Sequence, residues 1–338
     1  MSDQANQNKI ETFQDLLSKK LNPRDELIEG LIARCDFVIL SGPQKKFKSL
    51  ASLNVAIRAA QGEPWLRFQI YSPMRVGIVQ QEIPEEGLKD RLEKMLTGIK
   101  DKSFLDWIFH FPSCRGLKLD SHADVNKLRE WLDNAGGVDL LIVDPLYLFH
   151  ESKESDPQDM KKVCEALQNI ARDYDCGVLL VHHHGKPSQV EREGGDLHRG
   201  SSVLRDATDA NWTFTRVPQN KYQLEGPLSQ YVLLSFEQRH GLSPEPILLR
   251  LDFETLWLST VDTKAKGQIV VEVVVECLRQ QGGEMSNQDL IVTLMNRLGV
   301  GDRACRDAIY QTEEEGKIAR GQAEGRGNRR VWRLPEKG

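Results

Sequence analysis

The sequence predicts an α/β fold, a mostly parallel sheet covered on both faces by helices, followed by a smaller helical appendage. Three observations predict it. Short, continuous, β-branched apolar runs recur at 36–40, 75–79, 138–143 and 177–181, too short for buried helices and bounded by turn residues. Amphipathic helical patterns separate them, at 49–60, 88–96 and 160–174. Strands apolar along their whole length and alternating with helices indicate parallel pairing with both faces covered.

Bulk composition agrees with a globular chain. Its 338 residues are 39% hydrophobic and 28% charged, enough for one large α/β domain and a smaller one. A formal net charge of -5 supplies no global basic field, so attraction to nucleic acid has to be local. Six scattered cysteines lack CxxC or metal-ligand spacing and read as reduced thiols. The polar start MSDQANQNKIETFQD has no signal pattern, and no apolar run approaches the ~20 residues that span a bilayer. These features point to a cytoplasmic protein without a membrane partner.

Along the chain, residues 10–32 are expected to form short helices broken at Asn22-Pro23, a lead-in covering 1–34. The core is expected over 35–260, ending in edge hairpins from 230–236, 247–253 and 255–258. A polar linker at 261–267 precedes helices at 268–280, 286–298 and 302–315, the last stopped by Gly316, and then a glycine- and arginine-rich hairpin at 321–333. Three helices and a hairpin describe a winged helix-turn-helix over 268–338. There is no internal repeat and no low-complexity tract.

The motif with the clearest chemistry is Gly42-Pro43-Gln44-Lys45-Lys46-Phe47-Lys48-Ser49, running into Leu50 between the first strand and its helix. It matches G-x-x-x-x-G-K-[ST] except that Phe47 stands where the second glycine belongs. A phosphate-binding loop needs N–H donors converging at a helix N-terminus, a lysine for the β- and γ-phosphates and a hydroxyl for Mg²⁺. Lys48 and Ser49 supply the last two. The competing reading is a lysine-rich surface turn. Against it, the strand Val138–Val143 ends in Asp144, which brings a carboxylate to the Mg²⁺ side of such a loop. Asp139, at the start of that run, is expected at the far end as a solvated strand-start residue.

With these motifs in order, the chain resembles the RecA-like P-loop ATPases of the RepA-type hexameric helicase family, relatives of DnaB-type replicative helicases and of KaiC. Five stretches over 37–252 carry the likeness. Val79-Gln80-Gln81-Glu82 followed by Ile83-Pro84-Glu85-Glu86-Gly87-Leu88 is similar to the family's strand-then-glutamate segment, which implies Glu82 as the base that orients the attacking water. Glu85 and Glu86 read as helix N-terminal charges. Leu179-Leu180-Val181-His182-His183-His184-Gly185-Lys186 resembles the family's strand followed by His-His-x-x-Lys. That implies His182 and His183 as a γ-phosphate sensor. A three-histidine metal site is the rival reading, disfavoured because successive strand side chains point to opposite faces.

Arg199-Gly200-Ser201-Ser202-Val203-Leu204 resembles the segment after a loop that lines the central channel in hexameric relatives. Lys186, Arg192 and Arg199 around Gly194-Gly195 fit a strand-tracking loop, and equally an ordinary solvated one. Glu237-Gln238-Arg239-His240-Gly241 is similar to the K-Q-R-N-G stretch of replicative helicases. It implies Arg239 as an arginine finger reaching a neighbour's ATP site, with Glu237 departing from the lysine. The appendage concentrates Lys317, Arg320, Arg326, Arg329, Arg330 and Arg333 against Glu324 alone, a phosphate-facing composition. Arg303 and Arg306 begin its last helix, and Glu313, Glu314 and Glu315 end it.

The resemblance implies ATP and Mg²⁺ as ligands, a homo-oligomer as a ring of six, single-stranded or duplex DNA as partner, and further partners among replication or mobile-element proteins. The function it implies is that of a DNA-dependent motor, a helicase or translocase. The alternatives are a nucleotide-switched DNA-binding regulator or helicase loader without processive unwinding, a winged helix used for protein docking, and, less favoured, a small-molecule kinase.

Overall fold

The computed structural model describes residues 10–151, 154, 156–183, 202–218, 222, 224, 226–261, 266–298, 302–322 and 330–335. The expected channel-loop residues Lys186, Arg192 and Arg199, and Arg326 and Arg329 of the C-terminal hairpin, lie outside them. For Arg303 and Arg330 the backbone alone is described.

The short helix α1 (Phe13–Ser18) begins with a reciprocal Thr12–Asp15 capping box. Where the sequence reading expects further helix, the chain instead forms a hairpin of β1 (Glu26–Ile28) and β2 (Ile32–Ala33). Gly30, at φ +65°, makes its turn, and its N–H donates to Oε2 of Glu26 at 3.0 Å. Leu27, Ile28, Leu31 and Ile32 are all buried, and Leu27 and Ile32 pack over Gly177.

Next come β3 (Phe37–Gly42), α2 (Lys48–Gln61), β4 (Val76–Gln80), α3 (Glu85–Met95), β5 (Ile108–His110), α4 (His122–Asn134), β6 (Leu140–Asp144), α5 (Pro157–Asp173) and β7 (Gly177–His183). After them lie α6 (Ser202–Ala207), β8 (Ala210–Thr215), β9 (Tyr231–Gln238), β10 (Ile247–Leu251) and β11 (Leu258–Thr260). The strands form one sheet in the order β11-β10-β9-β8-β3-β7-β6-β4-β5, in which every pairing from β8 through β5 is parallel. Residues 255–257, expected as strand, turn instead. The Asp252 carboxylate accepts the N–H groups of Glu254 and Thr255, and Leu256 adopts φ +58°.

Side-chain alternation sorts the sheet into two faces. Phe37, Ile39, Val79, Leu141, Val143, Val178 and Leu180 join one core with Leu128 and Leu132 of α4 and Met160, Val163, Leu167 and Ile170 of α5. Val38, Leu40, Ile142, Leu179 and Val181, also buried, point the other way. Helix α2, which touches β3, β4, β6 and β7, is buried nearly all round through Ala51, Leu53, Val55, Ala56, Ile57, Ala59 and Ala60. Each fully buried Leu or Ile here contributes about 1.5–3 kcal/mol.

The chain divides into two compact units. One holds 1–215, 234–246 and 251–259, and the other holds 216–233, 247–250 and 260–338. Within the second, α7 (Lys266–Gln280), α8 (Asn287–Leu298) and α9 (Asp302–Glu314) accompany a three-stranded antiparallel sheet. Its strands β12 (Glu284–Ser286), β13 (Ala319–Gln322) and β14 (Arg330–Arg333) run in the order β12-β14-β13. Val274, Leu278, Leu290, Leu294, Ile309 and Trp332 build its core, and the Trp332 indole donates to Asn287 at 2.9 Å. Among the described residues no helix is long and apolar enough to cross a membrane.

Helix α2 ends at Gly62, whose φ of +66° caps the last carbonyls and which lies against the backbone nitrogen of Pro73. A Cβ there would sit 2.7 Å from that nitrogen. Gly98 has a similar φ of +81° with open space around it. We expect Gly62→Ala to cost roughly 2–4 kcal/mol, and Gly98→Ala roughly 1–2 kcal/mol from the left-handed backbone alone. Denaturant midpoints of the two variants check this, and equal losses would remove the packing argument.

Candidate functional site

Parallel register brings the carboxyl ends of four central strands to one edge of the sheet. Gly42 of β3 pairs with His183 of β7, and Gln80 of β4 with Asp144 of β6. Ligands of open parallel sheets bind outside such ends. Here a cleft of about 430 Å³ is lined by Lys45, Lys46, Phe47, Lys48, Ser49, Leu50, Glu82, Ile83, Pro84, Arg91 and His183.

The loop from Gly42 to Phe47 leads into α2, whose first N–H groups have no partner within the helix. Gly42 has no room for a side chain, since a Cβ would fall 2.8 Å from the carbonyl oxygen of Phe214 on β8. Phe47, at the position where the motif has glycine, keeps the left-handed conformation (φ 57°, ψ 8°) that glycine adopts without cost. Its ring meets Phe253 edge-on at 6.5 Å, and the Lys46 ammonium lies 5.8 Å from its centroid. The turn that carries Phe253 is held down by α2. The Asn54 side chain donates to Leu256 O at 3.2 Å and accepts from Leu258 N at 2.8 Å.

Lys48 is buried, and its ammonium donates to the carbonyls of Gly42 at 3.0 Å and Pro43 at 2.7 Å. Burial pushes it down to about 8, against the opposing charges of Asp144 and Glu82. Asp144 is 5% exposed and is pushed up to about 6 by burial, with Ser49 hydrogen bonding opposing and the charge of Glu82 adding to the rise. The Ser52 hydroxyl lies at 3.5 Å from its Oδ2, while Oδ1 has no hydrogen-bond partner among the described residues. A buried carboxylate oxygen without a partner, beside a serine hydroxyl and a lysine, is a donor set that fits a hard divalent cation such as Mg²⁺.

Glu82 is exposed to the cleft and lies 3.6 Å from Nε2 of His183. As strand alternation requires, the structure separates the two histidines. His183 faces the cleft beside Tyr147, with ring centroids 5.6 Å apart. His182, 2% exposed, lies on the other side, and nearby a hydrogen bond from His150 holds the Glu154 carboxyl below its usual range. Among the described residues no group of three or more His, Cys, Asp or Glu side chains is gathered as a metal-ligand cluster. Glu85 and Glu86 occupy the first turn of α3. Arg91, one turn further along α3, enters the cleft without any motif to announce it, and Tyr147 reaches His183 at its side in the same way.

Asp139 is not a merely solvated strand start. It is the acceptor of Arg34 at 2.8 Å and of the Arg75 N–H at 2.8 Å, at the end of β6 away from the cleft. Arg239 also lies at that opposite edge. Its N–H donates to Asp209 O at 2.8 Å, and Asp209 N donates in turn to Phe37 O at the start of β3. The five steps of β3 from Phe37 to Gly42 span roughly 17 Å. Its guanidinium meets Asp206 O and, at 3.9 Å, Asp209, while Glu237 meets Arg205 at 3.4 Å. In the second unit Arg306 pairs with Asp302, Lys317 with Glu315, Arg320 with Glu313 and Arg333 with Glu284. The positive charge expected to concentrate at the end of the chain is therefore offset at Lys317, Arg320 and Arg333 by nearby acids.

Because folding raises the Asp144 pKa from 3.8 to about 6, the folded chain holds a proton that the unfolded chain has lost across that window. The carboxylate thus lowers stability as pH rises through it, by up to about 3 kcal/mol above pH ~6. We expect Asp144→Asn to raise the denaturation midpoint at pH 8 without divalent cation, and the gain to vanish near pH 4. A gain independent of pH would refute the buried-charge account.

The AAA domain family model (AAA_25) matches residues 4–189 of the chain. Among solved structures, the ATPase domain of one protein aligns with a TM-score of 0.51 at 14% identity, covering 68% of this chain and 86% of that one. A DnaB-like replicative helicase, described with its interactions with primase, aligns with a TM-score of 0.50 at 14% identity, covering 68% of this chain and 58% of that one. At such identities the likeness is one of fold, a RecA-like P-loop core. With the match running from before the first core strand through the last residues of β7, the chain belongs to the AAA domain family.

Proposed function

We propose that this chain is an ATP-hydrolysing, Mg²⁺-dependent, oligomeric DNA motor of the RepA-type helicase subfamily. The observation that carries the reading is that Lys48, Ser49 and Glu82 line one cleft at a helix N-terminus while the buried Asp144 carboxylate, at the neighbouring strand end, feels all three. Lys48 binds the β- and γ-phosphates, Ser49 and Asp144 hold the metal ion, and Glu82 orients water for in-line attack. When bound, Mg²⁺ supplies charge neutralisation between the phosphates. His182 and His183 belong to the strand that ends at the cleft and leads towards Lys186, Arg192 and Arg199, the proposed DNA-tracking residues.

Arg239 lies a full strand length from the phosphate loop of its own chain, so a role as arginine finger requires delivery to a neighbouring copy. A contact between unlike edges of identical subunits generates a ring when its rotation closes. The C-terminal unit, with three helices and a three-stranded sheet, supports the winged-helix assignment over 268–338. Its ion-paired Arg306, Lys317, Arg320 and Arg333 favour a second reading, in which this unit docks protein and ATP switches a regulator or loader.

The deciding experiment is ATP hydrolysis with and without single-stranded DNA, with Lys48→Ala as background. DNA stimulation is expected of the motor, and hydrolysis indifferent to DNA would shift the assignment to the switch. Glu82→Gln is expected to bind ATP but hydrolyse it at least 10²-fold more slowly. Arg239→Ala is expected to lose roughly 10³-fold in turnover with nucleotide affinity little changed. Mixing it with Lys48→Ala subunits should restore activity, since mixed interfaces join an intact loop to an intact finger. No recovery on mixing would count against action between subunits.

A further inference from the structure

The backbone around Glu82 is pinned on both sides. The buried Gln80 side chain donates to Ile83 O at 2.6 Å and accepts from Ile83 N at 2.8 Å, closing the turn between β4 and α3. The Gln81 side chain donates to Leu117 O at 3.0 Å and accepts from Gly116 N at 2.9 Å. Glu82 lies between these staples, so its main chain is fixed while its own side chain keeps several rotamers. A carboxylate that must aim one oxygen at a water in the cleft needs its rotamer fixed as well.

The group placed to do this is His183. Its Nε2 lies 3.6 Å from Oε2 of Glu82, ion-pair range that closes to a hydrogen bond with a small rotation. Its own position is secured from two directions. The backbone is held by the β3 ladder opposite Gly42, and the ring packs against Tyr147 at 5.6 Å with a 44° tilt. His183 is also half-buried, so it has little freedom to swing elsewhere.

Resting on the reading of Glu82 as the water-orienting base, we propose that His183, backed by the Tyr147 ring, is a positioning residue that holds the Glu82 carboxylate in its productive rotamer. The imidazole Nε2–H donates, the carboxylate accepts, and the free carboxylate oxygen faces the water.

The test compares His183→Gln with His183→Asn in the full-length chain, with Tyr147→Ala and Tyr147→Phe alongside. A glutamine places its amide N–H where Nε2 lies, whereas asparagine reaches only the Nδ1 position. We expect His183→Asn to lower kcat at least tenfold, with ATP and ADP affinities within about twofold of wild type, and His183→Gln to recover most of the loss. Tyr147→Ala should lower kcat in the same way, and Tyr147→Phe, which keeps the ring, should restore it. In a Glu82→Gln background, His183→Asn should lower turnover no further.

A selective loss of ATP over ADP affinity in His183→Asn would overturn the inference in favour of direct phosphate contact. Wild-type turnover in His183→Asn, or a loss that multiplies with that of Glu82→Gln, would overturn it as well. Full activity in Glu82→Gln alone would instead sink the base assignment beneath it, so the two failures are told apart. ADP affinity serves in every variant as the check that the core has folded.

Discussion

Parallel pairing of β3 with β7, and of β6 with both β7 and β4, is the constraint on which the rest of this protein depends. Side-chain period and hydrogen-bond register together leave no freedom about which residues reach the sheet's carboxyl edge. A slip of one residue would send Phe37 and Ile39 out of the core shared with α4 and α5, so the apolar pattern fixes the position of every polar residue that follows. Gly42, Asp144 and His183 are where they are because Leu40, Val143 and Val181 are buried.

That edge is also where the fold carries its least comfortable groups. Lys48 and Asp144 are both removed from water, and burial moves each towards its neutral form. Neither is compensated by a close mutual ion pair. Lys48 instead leans on two loop carbonyls, and one oxygen of Asp144 lacks a protein partner among the described residues. Polar groups held under such tension indicate where a ligand's charges belong, since a native chain seldom leaves them unmet without a use.

The core strands, and the strand-to-helix loop that ends in Lys48 and Ser49, were legible in the sequence because both are local. A run such as Leu140–Asp144 announces its burial through composition and its chemistry through the acid that ends it. The N-terminal hairpin was not, because Leu27 and Ile32 are spaced for a helix as well as for the space over Gly177, and only tertiary packing decides between the two. Arg91, Tyr147 and Phe253 were invisible for a related reason. Each reaches the cleft region from an ordinary position on its own element and becomes notable only through neighbours distant in sequence. In the C-terminal unit the ion pairs of Lys317 with Glu315 and Arg320 with Glu313 were not legible, because charge counted along the sequence does not show which acid each base will meet.

Phe47 gives the loop a property that glycine would not. A glycine at this position leaves the unfolded chain with many more conformations to lose, and leaves the folded loop free to leave its left-handed geometry at little cost. Phenylalanine reverses both, since its edge contact with Phe253 ties the loop to a turn that Asn54 anchors to the same helix. The ordering that a glycine loop undergoes as phosphate arrives is thereby moved into folding itself. Under the proposed function, a nucleotide would meet a loop already shaped, with the entropic part of its affinity settled in advance.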